Sequence, residues 1–306
     1  MSNIIQIFLN SVIPVALIFL IGYLSGKNKK ISKNEVTGLF KFIAQISAPA
    51  IIINILITTD ISNLNTNLLI YYIISEILVY FFTFLFFKTF LNLSYSNSLL
   101  FGLAASFGNH VLFVYPIALF AFPADMITPV KGIITVDIFI FTFSLILLDL
   151  LTKPEMNKLN AVANQIQNPI FIGLILGLIF RISSLGEHLI IVRSSEFISY
   201  AAAPCGLFAS GVLLAQTTIK GNIKLATILT FFKMILHPLL GWLLIIILGK
   251  YSIQEAQTTL MVTVAPIGIM AVTFASHYKM NAEAVAQSVL LSFLLSVLFI
   301  PVLSSL

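Results

Sequence analysis

Asn109 and His110 sit in the middle of an apolar run, Asn97 to Phe122, within the string Asn109-His-Val-Leu-Phe-Val-Tyr-Pro116. An amide that both donates and accepts, beside a titratable ring, can hold a small anion or relay a proton. A second run, Thr258 to Phe274, carries Pro266-Ile267-Gly268 at its centre. Proline has no N–H and clashes with the carbonyl one turn back, so helical bonding is expected to fail near Pro116 and Pro266. Each break leaves a helix start with unpaired N–H groups and a helix end with unpaired carbonyls. The starts favour anions. Asn109 reads either as a ligand contact or as a cap on the break. His110 reads either as a functional ring or as a histidine bonded to a backbone carbonyl.

Buried charge is the second signal. Glu76 lies mid-span in Ile-Ile-Ser-Glu-Ile-Leu, Asp137 in Thr-Val-Asp-Ile-Phe, and Lys233 and His237 in Lys-Met-Ile-Leu-His-Pro. Ionisable groups inside a membrane are costly and face a cavity or a partner. Glu76 or Asp137 is therefore a candidate proton carrier or a partner of Lys233. Lys233 also stands close enough to Lys224 to snorkel toward an interface. Asp149 lies near a helix end and reads as solvated. No HExxH, CxxC, GxSxG or phosphate-loop pattern occurs, so neither an enzyme nor a metal site is expected. The single cysteine, Cys205, excludes an internal disulfide.

The elements that position these residues are membrane spans. Of 306 residues 59% are hydrophobic and 9% charged, with mean hydropathy +1.07. A soluble domain carries about 25% charged residues, so a polytopic membrane protein is expected. Ten apolar spans are legible: 4–26, 36–57, 67–90, 97–121, 129–151, 168–185, 196–216, 222–249, 256–275 and 282–303. The first lacks a positive leader and reads as a retained span rather than a signal peptide. The polar stretch 152–167 reads as a linker between a first five-span half (1–151) and a second (168–306).

Basic residues set the orientation. Ten lie in the odd-numbered loops (Lys27, Lys29, Lys30, Lys33, Lys88, Lys153, Lys158, Lys220, Lys224, Lys279) and four in the others (Lys131, Arg181, Arg193, Lys250). Both termini are therefore expected outside the cell. The net charge of +5 speaks to this topology and not to nucleic acid.

The halves share spacing. Pro14 and Pro169 lie 155 residues apart, as do Pro49 and Pro204; Pro116 and Pro266 lie 150 apart. Gly22-x-x-x-Gly26 and Gly173-x-x-x-Gly177 lie 151 apart. Ordered features at nearly one offset indicate a repeat of five spans. An odd number of spans inverts the second copy, and two interrupted spans in corresponding halves point to a transporter's binding site. The small-residue pairs allow close helix approach, within one protomer or across a homodimer.

These residues resemble the auxin efflux carrier family, whose bacterial members include malonate and dicarboxylate transporters. The fourth span of that family carries an asparagine, six residues and a proline, matched by Asn109 to Pro116; Val114 stands where members often have glycine. Pro266-x-Gly268 followed by Ala275 and Tyr278, Ala203-Pro204 through Gly211, and Lys233 through His237-Pro238 are similar too.

The resemblance implies an all-α fold shared with bile acid sodium symporters: two inverted five-helix repeats with spans 4 and 9 crossing. It implies a scaffold of spans 1, 2, 6 and 7 and a transport part of spans 3–5 and 8–10. The expected function is secondary active transport of a small organic anion, a malonate-like or auxin-like acid, across the plasma (inner) membrane by alternating access. The substrate would sit at Asn109, His110, Pro116, Pro266, Ile267 and Gly268, walled by Ser47 and Ala48. Coupling to H+ or Na+ through Glu76, Asp137, Lys233 or His237 stays open beside uniport. The alternative is a non-transporting membrane sensor or assembly protein with the same fold.

Overall fold

A computed structural model describes residues 3–153, 155–183, 185–217 and 222–306. Lys220 of the orientation argument and Pro154 of the linker lie outside the described residues. Among those described, all regular structure is helical apart from one isolated two-residue bridge. In chain order the helices are α1 (Asn3–Lys27), α2 (Lys33–Thr58), α3 (Thr66–Thr89), α4 (Tyr95–Ser106), α5 (His110–Ala121) and α6 (Ala124–Thr152). There follow α7 (Lys158–Ile166), α8 (Pro169–Ile182), α9 (Leu189–Ala215), α10 (Ile223–Leu248), α11 (Ile253–Thr263), α12 (Met270–His277) and α13 (Ala282–Leu303).

Seven of these are long and apolar enough to cross a membrane, and the bent pair α7–α8 brings the number to eight. The expected fourth and ninth spans appear as two short helices each, α4 with α5 and α11 with α12. Loop residues supply the starts. Ser32 with Glu35, and Ser252 with Glu255, form reciprocal capping boxes for α2 and α11. Ser94 accepts the Asn97 N–H and Asn65 the Leu68 N–H, capping α4 and α3. The linker is not an open loop as expected: Asn157 caps α7, which turns into α8 with a 64° bend.

Four prolines do not break their helices, contrary to the expectation for Pro116. Pro14, Pro49, Pro116 and Pro238 each follow a widened turn of i→i+5 type, at Phe8–Val12, Ile43–Ser47, His110–Val114 and Phe232–Leu236. In all four the turn ends two residues before the proline. A widened turn displaces the carbonyl that the pyrrolidine ring would strike, so the helix continues past it. A further such turn, Leu243–Leu248, ends α10 with no proline behind it.

The chain divides into two compact units. One comprises residues 1–16, 65–133 and 217–306, the other 17–64 and 134–216.

In the second unit both glycine pairs are consumed by packing inside the protomer. A Cβ on Gly22 would collide with the Phe208 backbone of α9, and one on Gly26 would lie 2.8 Å from the Val212 carbonyl. Gly173 of α8 packs equally tightly on Pro49 of α2, and Gly177 on Leu56. Arg181 closes the same contact by donating to the carbonyls of Leu56 and Thr59 at 2.5 and 2.8 Å. Asp149 is buried, not solvated as expected: it takes Lys153 Nζ at 2.6 Å and Gln165 Nε2 at 3.3 Å, which pins α7 to the end of α6.

Candidate functional site: the crossing of the broken spans

In the first unit the chain leaves helix at Phe107–Asn109 and again between Thr263 and Met270. The first interruption thus lies at Gly108-Asn109, about two turns before Pro116, which sits inside α5. Pro116 and Pro266, paired by the sequence offset, are structurally different: one is helical, the other lies in the extended break. Both breaks meet in a short antiparallel bridge between Gly108 and Ile267. The Asn109 N–H donates to the Pro266 carbonyl at 2.7 Å.

Approach this close needs a residue without a side chain. A Cβ on Gly108 would lie 2.8 Å from the Ala265 methyl and 2.6 Å from His110 Nε2. One on Gly268 would meet Gly108 at an ordinary 3.8 Å. The demand for glycine therefore rests on Gly108 rather than on the motif glycine, Gly268.

Four helix ends converge on the bridge: the carbonyl ends of α4 and α11 and the N–H ends of α5 and α12. Asn109 does not cap α5 with its side chain. Its amide is half-buried and forms no side-chain hydrogen bond among the described residues. Pro266, Ile267 and Gly268 are buried beside it.

The two carbonyl ends are satisfied differently. At α4, Lys233 reaches in from α10, and its Nζ donates to the Ser106 carbonyl at 3.1 Å. The same Nζ lies 3.1 Å from His237 Nδ1, which must accept, since an ammonium only donates. Lys233 is fully buried, so the snorkelling reading is wrong. Glu76 and Lys233 both act electrostatically on the His110 ring. Tyr72 of α3 holds the two histidines edge-on and tilted, at 6.5 Å from His110 and 5.8 Å from His237. Glu76, His110, Lys233 and His237 thus form one buried polar group beside the bridge.

At α11 the partners are hydroxyls of α13. Ser296 Oγ donates to the Val264 carbonyl at 2.6 Å, and Ser292 Oγ accepts the Ile267 N–H at 3.0 Å. Ser288, one turn earlier, donates to the Ala284 carbonyl of its own helix at 2.7 Å, with the Ala226 carbonyl 3.3 Å away. Sequence reasoning missed this set. Its signal is serine at every fourth position, 288, 292 and 296, in an otherwise apolar span: one helix face.

Three further expected site residues lie in the other unit. Ser47, Ala48 and Asp137 belong to the second unit. Ser47 lies in the widened turn of α2 with its hydroxyl buried and, among the described residues, without a hydrogen-bond partner, and Asp137 is buried on α6. Val114, which replaces the family's usual glycine, is fully buried in the widened turn of α5. Among the described residues no group of three His, Cys, Asp or Glu side chains is placed to hold a metal ion.

Broken apolar spans that meet at a polar, charged crossing define a multi-pass membrane transporter. Residues 153–304 match the family of membrane transport proteins. A protein of Rhizobium meliloti (strain 1021) named "Putative malonate transporter" is 27% identical over 145 residues. That match covers 47% of this chain and 45% of the relative, so the chain matches less than half of the relative's length. Among solved structures, the sodium proton antiporter of Methanocaldococcus jannaschii shares the fold, with TM-score 0.60 over 99% of this chain and 94% of that one at 15% identity. The family match over the second half of the chain and the similar relative both support an auxin efflux carrier family transporter. These relatives are transporters, not enzymes.

Proposed function

We propose that the protein is a secondary transporter that carries a small organic anion, a malonate-like carboxylate, across the plasma membrane by alternating access. The observation that carries this reading is the uncommitted Asn109 amide at the bridge, beside the N–H ends of α5 and α12. Helix starts favour a carboxylate, and a half-buried amide orients it. Ile267 and Gly268 offer backbone at the same place. His110 lies next in the chain to Asn109 and links the site to the buried group of Glu76, Lys233 and His237. The relative named for malonate supports a carboxylate as cargo.

The fold reading, ten spans as two inverted five-helix repeats, is supported by the two broken spans and by the paired prolines and glycines of the halves. A moving part of spans 3–5 and 8–10 on a scaffold of spans 1, 2, 6 and 7 finds support in the two units for spans 3, 4 and 8–10 and for spans 2, 6 and 7. Span 5 falls mainly in the second unit, and span 1 is divided. The basic loops favour both termini outside.

The test is uptake of labelled malonate, and of a panel of other carboxylates, into liposomes that contain the purified protein, with proton, sodium or no ion gradient. Wild type accumulates one acid of the panel, and Asn109→Ala abolishes uptake while melting as wild type does. Unchanged uptake in Asn109→Ala would remove that residue from the site. A folded protein that moves no acid in any gradient would favour the sensor reading.

A further inference from the structure

We propose that α7, the helix that joins the two sequence halves, is an interfacial helix: it lies along the bilayer surface with one apolar face dipped toward the acyl chains. The inference stands apart from the transport reading and needs no cargo.

Nine residues cannot span a bilayer, yet α7 (Lys158–Ile166) is neither a loop nor a packed core helix. Its side chains sort onto three faces of a helical wheel. Ala161 and Gln165, one turn apart, are buried, and Gln165 Nε2 donates to Asp149 at the end of α6. That face belongs to the protein. Leu159, Val162 and Ile166, three and four residues apart, are 81%, 41% and 54% exposed. Asn160 and Asn164 lie opposite them and are exposed too. A single exposed leucine is ordinary. Three aliphatic side chains along one face, with amides on the other, suit a boundary between water and hydrocarbon.

The corner after α7 shows which boundary. α8 is apolar, and its Ile172, Ile175, Ile179 and Ile182 are exposed as on a lipid-facing span. α7 turns 64° from it, nearer to the bilayer plane than to its normal. The turn is built rather than loose. The Gln167 and Asn168 N–H groups donate back to the Ala163 and Gln165 carbonyls, and the Asn168 side chain caps α8 through the Ile170 N–H at 3.0 Å. Exposed apolar residues therefore run on from the membrane span into α7. Taking α7 as the first part of a broken span would put Asn160 and Asn164 into hydrocarbon, where exposed amides are costly. The charges nearby cancel: Lys153 and Lys158 stand against Asp149 and Glu155. Lys153 is also held by Asp149. The anchor is thus apolar and does not select anionic lipid.

Quenching of tryptophan fluorescence by lipids brominated near the top of the acyl chain measures this. Trp242→Phe removes the chain's single tryptophan. Leu159→Trp and Asn164→Trp are then compared in that background, in phosphatidylcholine liposomes with and without phosphatidylglycerol. Leu159→Trp is expected to emit to the blue and to lose about half its intensity or more, since such faces sit about 5–10 Å into the boundary. Asn164→Trp is expected to emit as in water and to lose little. Both results are expected in both lipids. An unquenched, water-like Leu159→Trp overturns the proposal and leaves the face to a soluble partner. Equal quenching at both positions overturns it in favour of a broken span. Quenching that appears only with phosphatidylglycerol overturns the apolar anchor. If Leu159→Trp does not fold, Val162→Trp carries the same expectation. Malonate uptake plays no part in the readout, so a failed carrier assay leaves this test standing.

Discussion

The two breaks solve one problem with different chemistry. Each strands carbonyls in an apolar medium, where an unsatisfied group costs several kcal/mol. The first break, at Gly108-Asn109, is served by a charge: Lys233 on the Ser106 carbonyl, inside a cluster with Glu76 and two histidines. The second, around Pro266, is served by neutral hydroxyls of α13, Ser292 and Ser296. A hydroxyl fixes a backbone in place and does nothing more. A buried ionisable cluster also sets the charge that the site presents, and it can change protonation. The difference assigns electrostatic work to the first break and structural work to the second.

The largest effect is expected where charge is left uncompensated. Glu76→Gln removes a buried charge that acts on His110 beside Lys233, and disturbing a buried charge balance costs about 3–5 kcal/mol. Chemical denaturation or melting in detergent reads this directly. An unchanged stability would mean that the first break is no more electrostatic than the second.

Next comes the bridge that both breaks share. Gly108→Ala pushes a methyl against Ala265 and His110, an overpacking cost of about 1–3 kcal/mol. It should also lower malonate uptake more than its stability loss accounts for, because Asn109 shifts with it. The same change at Gly268, with ordinary contact distances, should do much less in the same assay.

Ser296→Ala strands the Val264 carbonyl and should cost about 1–3 kcal/mol, with little change in the pH dependence of uptake. A pH profile that moved with Ser296 would erase the distinction between the breaks. The smallest effect is expected at Pro116. Its clash is already absorbed by the widened turn His110–Val114, so Pro116→Ala should alter stability by less than about 1 kcal/mol. A large loss there would restore the proline as the origin of the break.

The positions of the breaks were partly legible. Polar Asn109 and His110 in an apolar run marked the first, and Pro266-Ile-Gly268 the second. Pro116 does not make the break, because a proline's local effect depends on whether the preceding turn can widen, and periodicity carries no record of that. Gly268 drew attention for its place in a motif, whereas the close approach falls on Gly108, which only the opposing Ala265 reveals. Asp149 was misread for a similar reason: its nearness to a helix end hid the burial that Gln165 and Lys153 impose.

By itself the sequence determined the membrane class, the helical elements and the residues that interrupt them. Hydropathy, turn chemistry and capping act within a few residues of each other, so they are written locally. Only the tertiary structure decided which groups answer the breaks. Lys233 and Ser106 are 127 residues apart, Ser296 and Val264 are 32 apart, and the bridge joins Gly108 to Ile267 across the whole middle of the chain. A buried carbonyl takes whichever donor the packing brings to it, and packing depends on the shape of every helix around it rather than on the sequence beside it.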